Sequence, residues 1–565
     1  MRKSSLVCGV LSTVLGLSWL HASAQQAIPP QVQPGTAERQ LQRPPEPTAP
    51  QTGVGAPVAV PQSAPPGAEK INLTLSSVVV EGVHSIPGSE LTQTYQGELG
   101  KRVTLARIYA IAAEMTAVYR RHGFLLATVV VPVQTIADGR IKLTAVEGFL
   151  HEVTFTGYTG ARQDFLQSIR VRLLKDKPLR TATLEREIVL LNDLPGIQAQ
   201  AVLMPSGQAG AADLEIRLHR SVVNASIGFD NRGSKLQGPD QTTAAFSLNS
   251  PFGRFDSTSL QYLGALPASE LHLFALTHVE RLTSTGLSLT LNATHSQSEP
   301  ELGIDFSQFN LETRTTQARI ELGYPFLRTR AESLSGRIAV TYHDGSTDAL
   351  GSELSKDRLA AVRAGLRWDT LDSLSGVNLV DVELSKGVSA LGASSFGSPS
   401  ASRAQGHPDF FKASAYLARL QSLGGPFSLL LAAGGQYAAD RLLQPEEYGF
   451  GGEPFGRAYD LSEMVGDSGL AAKAELRLTV SPGERLSTTF YVFGDRGEVW
   501  RRLLPGESDL AATEAASSAG GGIRFSWSTW LTGYVEGAKP LDHVVAARGN
   551  QNSRIFAGIQ ILLGP

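Results

Sequence analysis

Cysteine is all but missing from this chain. The one residue of that type, Cys8, lies in an N-terminal segment that reads as a secretory signal. Arg2 and Lys3 form its basic start, Leu6 to Leu20 its apolar stretch, and Ala22-Ser23-Ala24 its small-residue cleavage site. Cleavage is expected to leave Gln25 first. The chain beyond it can form neither a disulfide framework nor a thiolate metal site. Long apolar runs are also lacking. Nothing after the signal approaches the roughly 18 residues of a membrane-spanning helix. An exported chain of this kind is either soluble or a closed barrel, because only helices and closed barrels satisfy their backbone hydrogen bonds in lipid. Charge of one sign is lacking as well. The formal net charge of −3 gives no reason to expect nucleic acid. A nucleotide-binding loop is absent too: Gly97-Glu-Leu-Gly-Lys-Arg102 lacks both the spacing and the Ser/Thr of a P-loop. The scattered histidines, such as His278 and His295, have no metal spacing. No cofactor and no metal are expected.

What is present is alternation. Leu287, Leu289, Leu291 and Ala293 interleave with Ser288, Thr290, Asn292 and Thr294. Leu470, Ala472, Ala474, Leu476, Leu478 and Val480 interleave with Ala471, Lys473, Glu475, Arg477 and Thr479. A period of two puts each set on one face of a strand. From Ser221 to the last residue, about sixteen such strands follow in series with almost no helical pattern. Their connections alternate in length. Pro251-Phe-Gly-Arg254, Thr283-Ser-Thr-Gly286, Gly424-Gly-Pro426 and Ser481-Pro-Gly-Glu484 are short. Asp344 to Leu354, Ser389 to Asp409, Ala439 to Val465 and Arg501 to Thr513 are long. Outer-membrane barrels have short periplasmic turns and longer outside loops. The abundance of glycine, 57 of 565 residues, suits tight turns and curved strands.

The region before the barrel divides in three. Residues 25–70 are rich in proline, glutamine and alanine. They cannot bury a core, and read as an extended leader and linker. Thr36 to Gln42 is the one stretch there that could be helical, ending before Pro44 and Pro45. Residues 71–149 read as a small α/β module. It has a strand from Leu73 to Val83, a helix from Ser89, a longer helix from Leu105 to Arg121, and strands from Leu125 to Val133 and Arg140 to Glu147. Asp138-Gly139 favours a tight turn between the last two. Residues 150–220 repeat the order: a strand (Glu152 to Gly157), helices (Ala161 to Arg172 and Thr183 to Asn192), and strands (Ala199 to Pro205 and Leu214 to His219). A repeat of roughly 75 residues marks two copies of one unit. Because the modules precede the first strand, that strand starts in the periplasm and the long loops face outward.

A barrel preceded by two such modules and a proline-rich leader resembles the two-partner secretion transporters, whose superfamily also holds the barrel-assembly factors. The modules are similar to polypeptide-transport-associated (POTRA) domains. The resemblance sharpens at the sixth outer loop, Tyr448-Gly-Phe-Gly-Gly-Glu-Pro-Phe-Gly-Arg-Ala-Tyr459. The family has a Gly-Gly pair followed by a Val-Arg-Gly-Phe/Tyr tetrad. Here Gly451 and Gly452 are the pair, and Gly456-Arg457-Ala458-Tyr459 the tetrad, with glycine for valine and alanine for glycine. The family's Phe-x-Asp-x-Gly motif is matched by Phe493-Gly494-Asp495-Arg496-Gly497.

The resemblance implies a mainly β protein: a 16-stranded transmembrane barrel (221–565) in the bacterial outer membrane with two periplasmic POTRA modules. It implies that the sixth loop folds into the lumen and that Arg457 pairs with Asp495, a match a guanidinium fork and a carboxylate make well. It implies a partner, a large secreted exoprotein of β-helical type. The modules would catch that client by strand addition at their edges, with Leu125, Val129, Val131 and Val202 marking them. The leader would plug the pore as a short helix. The remaining partners would be outer-membrane lipid and the barrel-assembly machinery during biogenesis, with one chain acting as a monomer. The last strand, Arg554 to Leu563, ends in Gly564-Pro565 rather than an aromatic, so recognition by that machinery would use Phe556 or another signal.

Three other readings compete with this one. A barrel-assembly factor usually carries more modules and no proline-rich leader. A passive porin does not explain tandem modules. A protease is suggested by Gly466-Asp467-Ser468-Gly469, but no histidine base with an orienting acid is recognisable, and Gly-Asp-Ser are ordinary turn formers at the start of a strand.

Overall fold

The computed structural model describes residues 29–41, 44–47, 62–301, 310–505 and 512–564. The expected signal, 1–24, lies outside them. No helix among the described residues is long and apolar enough to cross a membrane.

The first module, residues 71–149, opens with β1 (Asn72–Thr74) and β2 (Ser77–Glu81). There follow α2 (Gly88–Thr92), β3 (Arg102–Thr104), α3 (Leu105–Arg121), β4 (Thr128–Val130) and β5 (Arg140–Val146). A four-residue helix in the leader, α1 (Thr36–Arg39), precedes them. The sheet order is β2-β5-β4, with β2 parallel and β4 antiparallel to the central strand. Thr104 caps α3 by accepting the Arg107 N–H at 3.2 Å. The apolar stripe Ile108, Ile111, Ala112, Met115 and Val118 is buried, as the helical spacing requires. The second module repeats this with β6 (Phe149–Gly157), α4 (Gln163–Lys175), α5 (Thr181–Asn192), β7 (Ile197–Pro205) and β8 (Ala211–Arg220), in the order β6-β8-β7.

One strand is much shorter than expected. The stretch Leu125 to Val133 pairs only over Thr128–Val130. Continuing the register places Pro132 opposite Lys142, and proline has no N–H to give. The Gln134 side chain substitutes: its Nε2 donates to the Lys142 carbonyl (2.7 Å) and its Oε1 accepts the Lys142 N–H (2.8 Å). Leu125 falls outside the strand and packs against the core of the second module.

From Val223 onward, sixteen antiparallel strands close on themselves. β9 (Val223–Asp230) pairs with β26 (Arg554–Leu563) from Ala225 opposite Leu563 to Asp230 opposite Gly558. Closure leaves no edge in the lipid. The two faces obey the period. Leu260, Phe274, Leu276, Ile320, Ile338, Val362 and Leu476 are exposed on the outside. The opposite parity carries lumen charges such as Arg337, paired to Asp381 at 2.7 Å and Glu383 at 3.1 Å. Phe326, Trp368, Phe427, Trp527 and Trp530 ring the periplasmic end of the apolar band, and Phe411, Tyr437 and Trp500 the outer end. The long loop expected over Asp344–Leu354 is instead strand: β15 (Glu332–Ala349) and β16 (Ser352–Leu371) run through it. They meet at the two-residue turn Leu350-Gly351, both at positive φ (53° and 74°).

The second module is fixed to the barrel. Phe255, from the turn after β10 (Asp240–Asn249), is fully buried in the module's core, its ring 5.2 Å from that of Phe165. Arg328 donates both fork nitrogens to Asp193 (2.8 and 2.6 Å). Arg172 bridges Glu187 at 2.7 Å and the Ser284 carbonyl at 3.0 Å.

In the first module, Glu147 accepts from the His84 N–H (2.8 Å), the Ser85 N–H (2.9 Å), the Ser85 hydroxyl (2.6 Å) and the Tyr119 hydroxyl (2.9 Å). Partial burial disfavours its charge, but these four donors outweigh it and hold the carboxyl below its ordinary value. A carboxyl depressed in the folded state stabilises above its unfolded value, near ~4.3, and loses that contribution as pH falls through the folded value. Glu147→Gln is therefore expected to weaken protection of the 82–85 segment at pH 7. The difference from the parent should shrink as pH falls below the ordinary carboxylate range, read by hydrogen exchange corrected for intrinsic rate.

Candidate functional site: the lumen, its folded-in loop and the leader

The loop between β19 (Phe427–Ala438) and β22 (Ser468–Val480) turns back into the barrel. It carries a small hairpin, β20 (Tyr448–Phe450) with β21 (Met464–Gly466). Phe450, Phe455, Tyr459 and Met464 pack on lumen residues Leu379, Ala418, Ala432, Ala471 and Ala516. Gly456 has φ +85°, and a side chain there would meet the Phe450 ring, so the glycine that stands for the family's valine is what this tip conformation needs. Gly497 likewise leaves room for Phe450 on the lumen wall. Gly451 and Gly452 also lie at positive φ (120° and 90°).

Arg457 is 2% exposed. Its guanidinium does not pair with Asp495, as the motif match suggested. It bridges Glu475 (2.5 Å) and Glu536 (3.2 Å) on β22 and β25 (Leu531–Pro540), and lies 4.1 Å from the centre of the Phe493 ring. Asp495, on β23 (Leu486–Trp500), instead accepts the Ser518 hydroxyl (2.5 Å) and the Arg457 main-chain N–H (3.4 Å). The physical reason is reach. Asp495 sits under the loop's backbone, while the long arginine side chain extends past it to two acids that are themselves almost fully buried. Those acids are shared: Glu475 also takes Arg477 (2.6 Å) and Arg524 (2.7 Å), and Glu536 takes Arg232 (2.7 Å) and the Tyr491 hydroxyl (2.8 Å). Tyr459 donates to the Ser517 carbonyl at 2.9 Å. The motif drew attention to Phe493, Asp495 and Gly497 and missed Glu475 and Glu536. Glu475 was on view as one of three charges on the polar face of its strand.

The leader also lies in the lumen. Ala37 packs on Leu263, Ala265, Leu271, Leu273 and Ala275, the inward face of β11 (Asp256–Leu266) and β12 (Leu271–Arg281). Glu38 accepts the Ser296 hydroxyl at 2.5 Å, and the Gly35 N–H donates to Thr315 Oγ1 at 3.2 Å. Arg39 donates to Ser462 Oγ (2.9 Å) and to the carbonyls of Gln444 (3.3 Å) and Glu447 (3.0 Å), all in the folded-in loop. Glu46 pairs with Arg477 at 2.9 Å. The helix covers Thr36–Arg39, shorter than the stretch to Gln42.

The other residues marked in the sequence lie in the modules. Val129 and Val131 are buried at the β4 edge, Val202 is half-buried on β7, and Leu125 lies between the modules. Gly466-Asp467-Ser468-Gly469 is a structural anchor. Asp467 is fully buried and accepts from Arg403 (2.7 Å), the Leu442 N–H (2.6 Å) and the Arg502 N–H (2.7 Å), tying three outer loops together.

A closed, lipid-facing sixteen-stranded barrel with N-terminal α/β modules and an inward-folded sixth loop defines an outer-membrane transporter with periplasmic POTRA domains. The chain matches the Haemolysin secretion/activation protein ShlB/FhaC/HecB family over residues 210–525, and the ShlB-type POTRA domain over residues 73–148. It belongs to that family, and is an outer-membrane translocator of the two-partner secretion type. It is 23% identical over 500 residues to the heme/hemopexin transporter protein HuxB of Haemophilus influenzae (strain 86-028NP), covering 84% of each chain. It is 25% identical over 474 residues to the hemolysin transporter protein ShlB of Serratia marcescens, covering 83% of this chain and 81% of that one. Its fold is similar to CdiB from Escherichia coli, with TM-score 0.68, 18% identity and coverage of 98% and 97%. BamA from Haemophilus ducreyi lacking POTRA domains 1–3 is also similar, with TM-score 0.53, 13% identity and coverage of 87% and 100%.

Arg457→Ala leaves Glu475 and Glu536 to the arginines of the wall and removes the loop's own ion pairs to that wall. The loop is expected to unseat. With Ser462→Cys as the only cysteine of the exported chain, maleimide labelling should rise at least tenfold in Arg457→Ala. It should rise similarly in the Glu475→Gln/Glu536→Gln pair, and much less in Asp495→Asn.

Proposed function

We propose that this translocator exports a large exoprotein of β-helical type, taken up unfolded in the periplasm and threaded through the lumen. The observation that carries the reading is the leader. Residues 29–41 and 44–47 put polypeptide inside the barrel, held by side chains of the wall and by the folded-in loop, so the lumen accommodates a chain. The route in is a cleft of about 1130 Å³ between β7 of the second module and the barrel mouth. Ala199 and Val202 line one side, and Tyr324, Arg328 and Arg367 the other. Two of the arginines that line it stand beside acids, Arg328 with Asp193 and Arg367 with Asp369 (2.9 Å). The leader acts as a plug that the client displaces. Client folding outside supplies the direction. The pore lies wholly within one chain, which works as a monomer inserted by the barrel-assembly machinery.

Deleting the gene and comparing culture medium with outer membrane should remove one large protein from the medium and leave other barrels intact. Depletion of many barrels would instead assign an assembly role. Removing residues 29–47 should raise single-channel conductance in planar bilayers several-fold. Unchanged conductance would show that the leader does not obstruct the pore.

A further inference from the structure

The chain's own side chains treat the edges of its two modules differently. In an antiparallel pair, the main-chain groups of alternate residues point toward the partner strand or away from it. On the β4 side of the first module the outward residues are Ala127, Val129 and Val131, and all three N–H groups are taken. The Ala127 N–H goes to the Phe124 carbonyl (3.4 Å). The Val129 N–H goes to the hydroxyl of Thr116, itself buried in α3 (2.9 Å). The Val131 N–H goes to Oε1 of Gln62, from the linker (2.8 Å).

In the second module the outward residues of β7 are Ala199, Ala201 and Leu203. The parity is fixed by Leu218, which stands opposite Ala199 and gives its carbonyl to the Tyr158 N–H on the β6 side (2.9 Å). At Ala199 one side chain takes both groups. Asn192 Oδ1 accepts the N–H (2.8 Å) and Nδ2 donates to the carbonyl (3.3 Å), while Nδ2 also bonds the Ile188 carbonyl (2.9 Å). A carboxamide offers the donor and acceptor of a peptide group, so Asn192 stands where one residue of an added strand would stand. Among the described residues, no partner takes the outward groups of Ala201 or Leu203. Of the module's two edge strands, β7 is the one that lines the cleft at the barrel mouth.

We propose that a client strand adds to the second module alone, pairing with Ala201 and Leu203, and that Asn192 sets its register by filling the slot at Ala199. On the β4 edge of the first module the outward N–H donors that an added strand would need are already taken. The partner is therefore an extended, unfolded polypeptide segment with two residues, one apart, that each offer N–H and C=O, so neither is proline. This rests on the secretion reading above.

The test uses the full-length transporter and the exoprotein identified as lost from the medium of the deletion strain. Proline at an outward position removes an edge donor and spares the ladder. Ala201→Pro should cut secretion at least tenfold, and Val131→Pro should leave it within twofold. Because proline can disturb folding, a benzophenone amino acid at Gln200 or at Val130 of the otherwise unaltered chain gives an independent reading. Adducts containing the exoprotein should form at Gln200 and not at Val130. A benzophenone at Gln198 should be silent in the parent and productive in Asn192→Ala, where the third slot opens. Adducts at Val130 but not Gln200, wild-type secretion by Ala201→Pro, or a silent Gln198 in Asn192→Ala would each overturn the proposal. A medium unchanged by deletion of the gene would instead overturn the secretion reading itself.

Discussion

A guanidinium removed from water needs its charge answered on all sides, and Arg457 is where this molecule meets that demand. Two carboxylates from β22 and β25, three strands apart on one stretch of the wall, converge on it, and an aromatic ring covers its face. Neither acid belongs to Arg457 alone, since each also serves arginines of the wall. The loop is thus held by a network that the wall's own arginines complete. The leader's own arginine, Arg39, bonds mainly to backbone of the same loop. The leader is held both by that loop and by the wall itself, at Ser296, Thr315 and Arg477.

The parts of this architecture that follow a period were legible in the sequence. Alternation placed the lipid and lumen faces, because a strand cannot turn one residue out of phase without moving its whole apolar set to the wrong side. Helical spacing placed Leu105–Arg121 without error at either end. Contacts set by reach were not legible. Motif matching brought Arg457 and Asp495 into one neighbourhood, but only geometry shows that the aspartate receives the backbone while the side chain goes to Glu475 and Glu536. The strand at Leu125–Val133 looked continuous because its apolar content is, yet Pro132 ends it and Leu125 turns to the neighbouring module. The stretch at Asp344–Leu354 was expected as a long connection, but the strands run on through it to a two-residue turn, and a barrel strand that rises past the lipid has no reason to stay apolar.

The two periplasmic modules share a topology and differ in how their edges are finished. One closes its edge with a helix hydroxyl and a linker glutamine. The other spends a single asparagine and leaves the rest of the strand open toward the barrel. An unprotected edge invites pairing with any extended chain, and here it faces a cleft between the module and the barrel mouth, not the open periplasm.

Phe255 lies in the sequence well after the module whose core it completes. Before the barrel's first turn exists, the second module lacks a full ring from its interior, and its core is left with a gap of aromatic size. The module therefore reaches its final stability only when the barrel has formed beside it.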